Sequence, residues 1–168
     1  QINRKRKMKM GTNKKKMPRK VTKENKWITH LQNDDLNLEN QICLLETIAS
    51  IKTPKHEILI RELKRKIQGY KQQDIEKSKY RFDEFVDLEF VIELLKQHSN
   101  CFYCNTPIKL LYIQSRDPQQ WTLERIDNKV GHTKRNVKVS CLSCNIKRRT
   151  MYHEKYLFTK QLVLTKLI

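Results

Sequence analysis

The sequence contains no long apolar run, and its first stretch is charged instead of apolar. No segment approaches the roughly 18 consecutive apolar residues of a membrane-spanning helix, so we expect no membrane partner. A charged first stretch is also unlike a signal peptide, and we expect none. Acidic residues are scarce, at 18 Asp and Glu against 36 Lys and Arg, which gives a net charge of +18. This excess predicts attraction to a polyanion, with nucleic acid (DNA before RNA) as the first candidate and an anionic membrane surface as the second.

The positive charge is concentrated at the two ends of the chain. Residues 1–26 carry 12 basic residues and one acidic residue, residues 27–100 carry 11 and 13, and residues 101–168 carry 13 and 4. Residues 1–26 have too few apolar side chains to offset the entropy of ordering, so we expect a disordered basic arm. The arm is predicted to bind nucleic acid or to act as a nuclear-localisation signal, with a solubilising tail as the alternative. Its candidate nucleic-acid contacts are Arg4, Lys5, Arg6, Lys7, Lys14, Lys15 and Lys16.

Residues 27–86 are predicted to form a helical appendage. Apolar residues recur near helical spacing over 35–51. Thr53-Pro54 then has the residue types that cap and start a second helix. Two amphipathic helices without a sheet fit a dimerising or partner-binding arm over residues 35–77. They fit packing against the rest of the same chain equally well.

Residues 87–168 are predicted to mix helices and strands. Asp87 has the residue type of a helix N-cap and precedes an apolar stripe over 88–97. Strands are predicted over 109–114, 121–126 and 137–140, with helix from the second cysteine pair onward and again over 152–168. The last two strands are expected to be joined by a loop over 128–135, which predicts a hairpin.

Four of the five cysteines form two Cys-x-x-Cys pairs separated by 36 residues: Cys101 with Cys104, and Cys141 with Cys144. Each such pair forms a tight knuckle whose two thiolates hold one side of a tetrahedral zinc ion. Paired spacing favours metal binding inside the cell over disulfides in a secreted protein. We therefore predict a closed, structural Zn²⁺ site and an intracellular location, in the nucleus or another DNA-containing compartment.

The order and spacing of these residues resemble the HNH nucleases, also called ββα-metal or His-Me finger nucleases. The resemblance runs from the first cysteine pair through Glu124 at a strand end and Asn136-Val137 to the second pair, which Asn145 follows. It covers about residues 87–152 and implies an α+β fold, a zinc-stapled ββα-metal domain over 87–168. The sequence departs from the family at Arg125, where the family has its general-base histidine.

The resemblance also implies a second, catalytic ion. Mg²⁺ or Mn²⁺ prefers oxygen ligands, and Glu124 and Asn145 match the family's metal ligands; helix capping is the alternative role for Asn145. Asn136 matches the asparagine that braces the loop through backbone hydrogen bonds. Four basic residues nearby are suited to phosphate contact: Lys134, Arg135, Arg148 and Arg149.

The general base is the open question of this site. Arg125 cannot accept a proton, because a guanidinium has no acceptor and stays charged, but it can hold the scissile phosphate. Asp127 is the first candidate base, since it falls on the face of Arg125 if the strand continues that far. His132 is the second candidate, because histidine titrates near neutral pH, and water on the ion is the third. A surface or hydrogen-bonding residue of the loop is the alternative for His132.

The expected function is therefore metal-dependent hydrolysis of DNA phosphodiester bonds by an HNH-type endonuclease. The alternative is a catalytically inactive HNH fold that binds or packages nucleic acid. In the packaging version, residues 27–100 bind a protein partner and the basic ends hold the nucleic acid.

Overall fold

The computed structural model describes residues 24–162, so residues 1–23 of the predicted basic arm and the predicted helix beyond 162 lie outside the described residues. The fold mixes five α-helices with one two-stranded antiparallel sheet. The elements are α1 Leu38–Glu46, α2 Pro54–Glu76, α3 Leu88–Gln97, β1 Trp121–Arg125, β2 Val137–Cys141, α4 Leu142–Arg148 and α5 His153–Gln161, with short 3₁₀ helices at Lys26–His30, Asn33–Leu36 and Thr47–Ala49. Within 24–162, no helix has both the length and the apolar content to cross a membrane.

The starts of the helices follow local capping chemistry. Thr53 accepts a hydrogen bond from the backbone N–H of His56, and Pro54 occupies the first turn of α2, as predicted. Asp87 likewise accepts a bond from the Phe90 N–H at 2.8 Å, so the predicted helix over 88–97 is confirmed as α3. Helix α2 runs unbroken through Gly69 for 23 residues, about 34 Å, which carries its C-terminal end across to the hairpin.

The predicted hairpin is confirmed, with β1 and β2 paired from Trp121↔Cys141 to Arg125↔Val137. The predicted strand over 109–114 is wrong, since only isolated bridges form there. The cause is a side chain, because Gln41 Oε1 on α1 accepts the Leu110 and Leu111 N–H groups at 2.8 and 2.9 Å. A distant amide therefore satisfies backbone groups that a neighbouring strand would otherwise pair with.

One continuous apolar core joins the helices to the hairpin. Leu59 and Leu63 on α2, Val91 on α3, and Trp121 and Leu123 on β1 are all buried in the same cluster. The helices of residues 27–86 thus pack in cis against the rest of the chain. This packing brings the C-terminal half of α2 alongside β1 and the loop between the strands.

Candidate metal centre and hairpin pocket

The four paired cysteines come together as the sequence predicts. The Sγ atoms of Cys101, Cys104, Cys141 and Cys144 all lie within 4.8 Å of one another, and Cys104 and Cys141 are 3.9 Å apart. Sulfur atoms at about 2.3 Å from a tetrahedral zinc would be about 3.8 Å apart, so a slight contraction completes the shell. The cluster can therefore hold a structural metal such as zinc. Four thiolates leave no open position on the ion for a substrate.

Backbone hydrogen bonds build both knuckles. In the first, the Asn105 N–H donates to the Cys101 carbonyl at 2.9 Å, and Asn105 adopts a left-handed φ of 55°, which asparagine tolerates well. In the second, Cys141 ends β2 and caps α4, and its sulfur accepts the Cys144 N–H at 3.4 Å. A metal held here would fix the end of β2 and the start of α4 to the first knuckle.

An open pocket of about 360 Å³ lies beside the hairpin, and we call it the hairpin pocket. Its lining includes Glu124 and Arg125 at the end of β1, His132 in the loop, and Asn145 with Arg149 on and just after α4. Five of the predicted site residues therefore meet around one cavity. Helix α2 closes another side with Tyr70 and Gln73, which the sequence did not identify.

Glu124 is held by a buried ion pair. It is only 4% exposed, and Arg148 contacts its Oε1 through Nε at 2.6 Å and Nη2 at 2.5 Å. Burial raises the pKa of the Glu124 carboxyl, and Arg148 only partly offsets this. The second oxygen, Oε2, is buried without a hydrogen-bond partner among the described residues. This carboxylate thus has one oxygen in use and one left for a ligand.

Arg148 does not face solvent, contrary to its predicted contact with phosphate. It is 2% exposed, and besides Glu124 its guanidinium donates to the carbonyls of Arg125 and Met151 and to Asn128 Oδ1. All of its nitrogens are therefore taken, and its role is to hold the end of β1 against α4.

Replacing Arg148 with methionine should lower the free energy of unfolding by about 3–5 kcal/mol, because the buried Glu124 carboxylate loses its partner. The loss should be smaller at pH 5 than at pH 8, since the carboxyl can then take up a proton. Urea unfolding at both pH values measures it. Arg149→Met is the matched control, because Arg149 is exposed and should change stability by under about 0.5 kcal/mol. Equal losses in the two variants would contradict a buried pair.

The other predicted site residues take varied positions. Asn145 lies on α4, and its Nδ2 donates to Thr122 Oγ1 at 3.1 Å and to the Leu123 carbonyl at 3.4 Å, which leaves its amide oxygen outside both contacts. Arg149 follows α4 in a left-handed conformation with φ 53°. Arg125 Nη1 is buried without a hydrogen-bond partner among the described residues, 3.9 Å from a carboxylate oxygen of Asp74.

The extension of the strand to Asp127 is wrong, since β1 ends at Arg125. Asp127 Oδ1 instead accepts the Lys129 N–H at 2.8 Å, and the residue lines a different pocket with Tyr152. Asn136 crosses the base of the loop: its Oδ1 accepts the Asp127 N–H, and its Nδ2 donates to the carbonyls of Asp127 and Gly131. The first candidate base therefore points away from the hairpin pocket.

His132 is buried, at 3% exposure, so a surface position is wrong, while the predicted alternative of a hydrogen-bonding loop residue is confirmed. Its Nδ1 is 2.9 Å from Asp74 Oδ1, and its ring stacks on Tyr70 at 4.5 Å. Burial lowers the pKa of His132 to about 4, although Asp74 acts in the opposite direction. The imidazole is therefore neutral at pH 7.

A second open groove, of about 510 Å³, holds the remaining basic candidates. Lys134 and Arg135 line it together with Arg81. Lys134 Nζ pairs with Asp87 at 2.5 Å, and both side chains are about half exposed. Exposed pairs of this kind contribute little to stability, so a phosphate can displace the carboxylate.

No local pattern in the sequence indicates the part that α2 plays. Asp74 and Tyr70 lie 58 and 53 residues before the residues they hydrogen-bond, Gln73 lines the same pocket, and a charged residue on an exposed-looking helix face carries no mark of burial. Similarity to other proteins adds nothing to these positions, because no family model, curated protein or solved structure matches the chain. The described residues establish a four-cysteine cluster that could hold a metal, within an α+β fold, and they identify no family.

Proposed function

We propose that this chain is an HNH-type, metal-dependent endonuclease that hydrolyses DNA phosphodiester bonds in the hairpin pocket. One observation carries the proposal. Adjacent residues of β1, Glu124 and Arg125, each line the pocket and each have a buried polar atom without a hydrogen-bond partner among the described residues. An unpaired buried group costs about 1–3 kcal/mol, so proteins keep such groups where a ligand satisfies them.

The two unpaired atoms differ in chemistry in the way that a phosphodiester site needs. Glu124 Oε2 is an anionic acceptor, and Asn145, whose amide oxygen is outside both of its hydrogen bonds, lines the same pocket. These oxygens fit a hard divalent cation such as Mg²⁺ or Mn²⁺, which would complete its shell with water and phosphate oxygens. When bound, such an ion neutralises charge on the phosphate that is attacked. The four cysteines serve a separate, structural zinc.

Arg125 supplies the complementary donor. Its Nη1 makes no hydrogen bond among the described residues and lies 3.9 Å from the Asp74 carboxylate, and a phosphate oxygen is the acceptor that a guanidinium matches best. Arg149 on the same pocket, and Lys134 with Arg135 in the neighbouring groove, extend a cationic path for the nucleic-acid backbone. With the +18 net charge, this favours DNA as the partner, RNA as the second candidate, and a DNA-containing compartment as the location.

Incubating supercoiled plasmid with the purified chain tests the proposal. We expect conversion to nicked circles with Mg²⁺ or Mn²⁺ and none with the zinc-loaded protein in metal-free buffer, because a closed four-cysteine ion cannot serve the reaction. Gel electrophoresis over time measures the rate. Tight plasmid binding without nicking in either metal would exclude the endonuclease.

The second candidate function is nucleic-acid binding without cleavage. The Glu124–Arg148 pair favours it, because the carboxylate already has a buried cation that a divalent ion must compete with. This candidate predicts a gel shift of plasmid that is unchanged by Mg²⁺ and weakens with salt. It also predicts intact supercoiled DNA at the end of the incubation. The nicking assay therefore separates the two functions.

A further inference from the structure

We infer that Asp74 and His132 form an aspartate–histidine pair that supplies the general base of the hairpin pocket. His132 is the catalytic residue, and Asp74, on helix α2, is its positioning residue. The inference rests on the proposed function and assigns the one group that function lacks, because Arg125 stands where the resembled family has its base. Neither Asp74 nor any other residue of α2 belongs to the motif of that family.

Both oxygens of Asp74 are committed to His132. The Asp74 side chain is fully buried, its Oδ1 lies 2.9 Å from His132 Nδ1, and its Oδ2 accepts the His132 backbone N–H at 2.6 Å. A carboxylate only accepts hydrogen bonds, so Nδ1 must carry the proton of this contact. The neutral ring then has its lone pair on Nε2, outside the pair. That tautomer is the one a general base needs.

The surroundings fix the ring in place. Tyr70 stacks on the imidazole at 4.5 Å, and its hydroxyl is itself held by the Leu123 N–H of β1 at 3.1 Å. Gly131 lets the loop approach closely, because a Cβ there would come within 2.5 Å of the Lys79 carbonyl and 2.7 Å of Asp74 Oδ2. Three elements therefore hold one histidine at the wall of the pocket. Such rigidity is typical of a preorganised catalytic group.

The charges around His132 keep it neutral. Burial is the largest effect and disfavours the protonated form, Arg125 on β1 and Lys77 just after α2 act in the same direction, and Asp74 alone opposes them. Tyr70 on α2 adds no charge at neutral pH because burial raises its pKa beyond the normal range. The imidazole is therefore unprotonated, with a free lone pair, throughout the neutral range.

The step is a simple hydrolysis. Nε2 of His132 takes one proton from a water molecule as the water oxygen forms its bond to phosphorus. The bond from phosphorus to the leaving deoxyribose oxygen breaks, and that oxygen takes a proton from solvent. Asp74 keeps its charge and balances the imidazolium that forms. Arg125, whose Nη1 lies 3.9 Å from Asp74 Oδ1, lines the same pocket and is assigned to hold the phosphate.

Two substitutions in the zinc-loaded 168-residue chain test the pair. Asp74→Asn preserves shape but can donate to Nδ1, which moves the ring proton to Nε2 and removes the base. We expect Asp74→Asn to lower kcat for plasmid nicking about 10²–10⁴-fold, with KM changed by less than about threefold. His132→Ala should lower kcat by a similar factor, and added imidazole should partly restore it. His98→Gln is the matched control, since His98 is exposed and distant from the pocket lining.

A measurement independent of activity is the tautomer itself. NMR spectra of ¹⁵N-histidine-labelled protein measure it, and the signals that His132→Ala lacks are those of His132. In the wild type at pH 7 these signals should show a protonated Nδ1 and an unprotonated Nε2. A wild-type ring protonated on Nε2 overturns the inference even if the variants fail to fold. If the wild type nicks plasmid and both Asp74→Asn and His132→Ala nick at the same rate, the inference is wrong and the proposed function stands. If the wild type nicks plasmid with no divalent metal ion, both the inference and the proposed function are wrong.

Discussion

Cys141→Ser, or removal of zinc by a chelator, is expected to unfold the hairpin and everything that packs on it. Cys141 ends β2, caps α4 and contributes one of the four clustered sulfurs, so its loss breaks the shell at the point where two elements meet. Binding free energies of structural zinc sites are on the order of 10 kcal/mol and act as folding free energy. A domain of this size has a net stability of only about 5–15 kcal/mol.

Circular dichroism with elemental analysis measures this expectation. The purified protein should contain one zinc per chain, and far-ultraviolet signal and metal should be lost together as chelator is added. Cys43→Ser is the matched control, since Cys43 is a free, exposed cysteine of α1 outside the cluster. Protein that is fully folded and carries no metal would show that the cluster is not a structural metal site.

The parts of the fold that the sequence predicts are those with local causes. Thr53 and Asp87 cap their helices through contacts three residues away, and the hairpin follows from alternation over two short segments. The cysteine cluster is equally predictable from the sequence, because each of the two Cys-x-x-Cys pairs forms its knuckle locally. These signals are complete within a few residues of chain, and tertiary packing does not change them.

The parts that sequence reasoning misses depend on contacts between distant residues. Gln41 pairs with the backbone of Leu110 and Leu111 across some 70 positions, so the predicted strand there never forms. Arg148 and Arg149 look alike in sequence, yet α4 ends between them, burying the first and exposing the second. Local patterns cannot state which arginine meets Glu124.

The hairpin pocket shows the same division more sharply. Motif order predicts Glu124, Arg125 and Asn145, the titration of histidine near neutral pH predicts His132, and all four line one pocket. Asp74 was not, because its significance arises only when α2 crosses the loop 58 residues later. The preference for Asp127 as the base depended on strand length, the feature that periodicity defines least well. The assignment of the ion ligands stays a prediction.

Asn145→Ala is expected to abolish plasmid nicking while leaving the fold intact. The substitution removes an amide oxygen from the lining of the hairpin pocket, and with it one of the two proposed protein ligands of the divalent ion. It does not touch the Glu124–Arg148 pair. The free energy of unfolding should therefore fall only by the contribution of one or two hydrogen bonds, about 1 kcal/mol. Glu124→Gln should abolish nicking as well, with a larger loss of stability because Arg148 keeps only its uncharged partners.

Calorimetric titration with Mn²⁺ separates binding of the ion from the reaction. Zinc-loaded wild type should bind one further Mn²⁺, and Asn145→Ala should lose that event while its zinc content stays at one per chain. Asn40→Ala, at an exposed asparagine of α1, is the matched control and should behave as wild type in both assays. If Asn145→Ala nicks and binds Mn²⁺ like wild type, the ion is not held by Asn145. Because Arg148 already holds one oxygen of Glu124, a site without Asn145 keeps a single unpaired carboxylate oxygen as its proposed protein ligand, and binding of the ion should weaken accordingly.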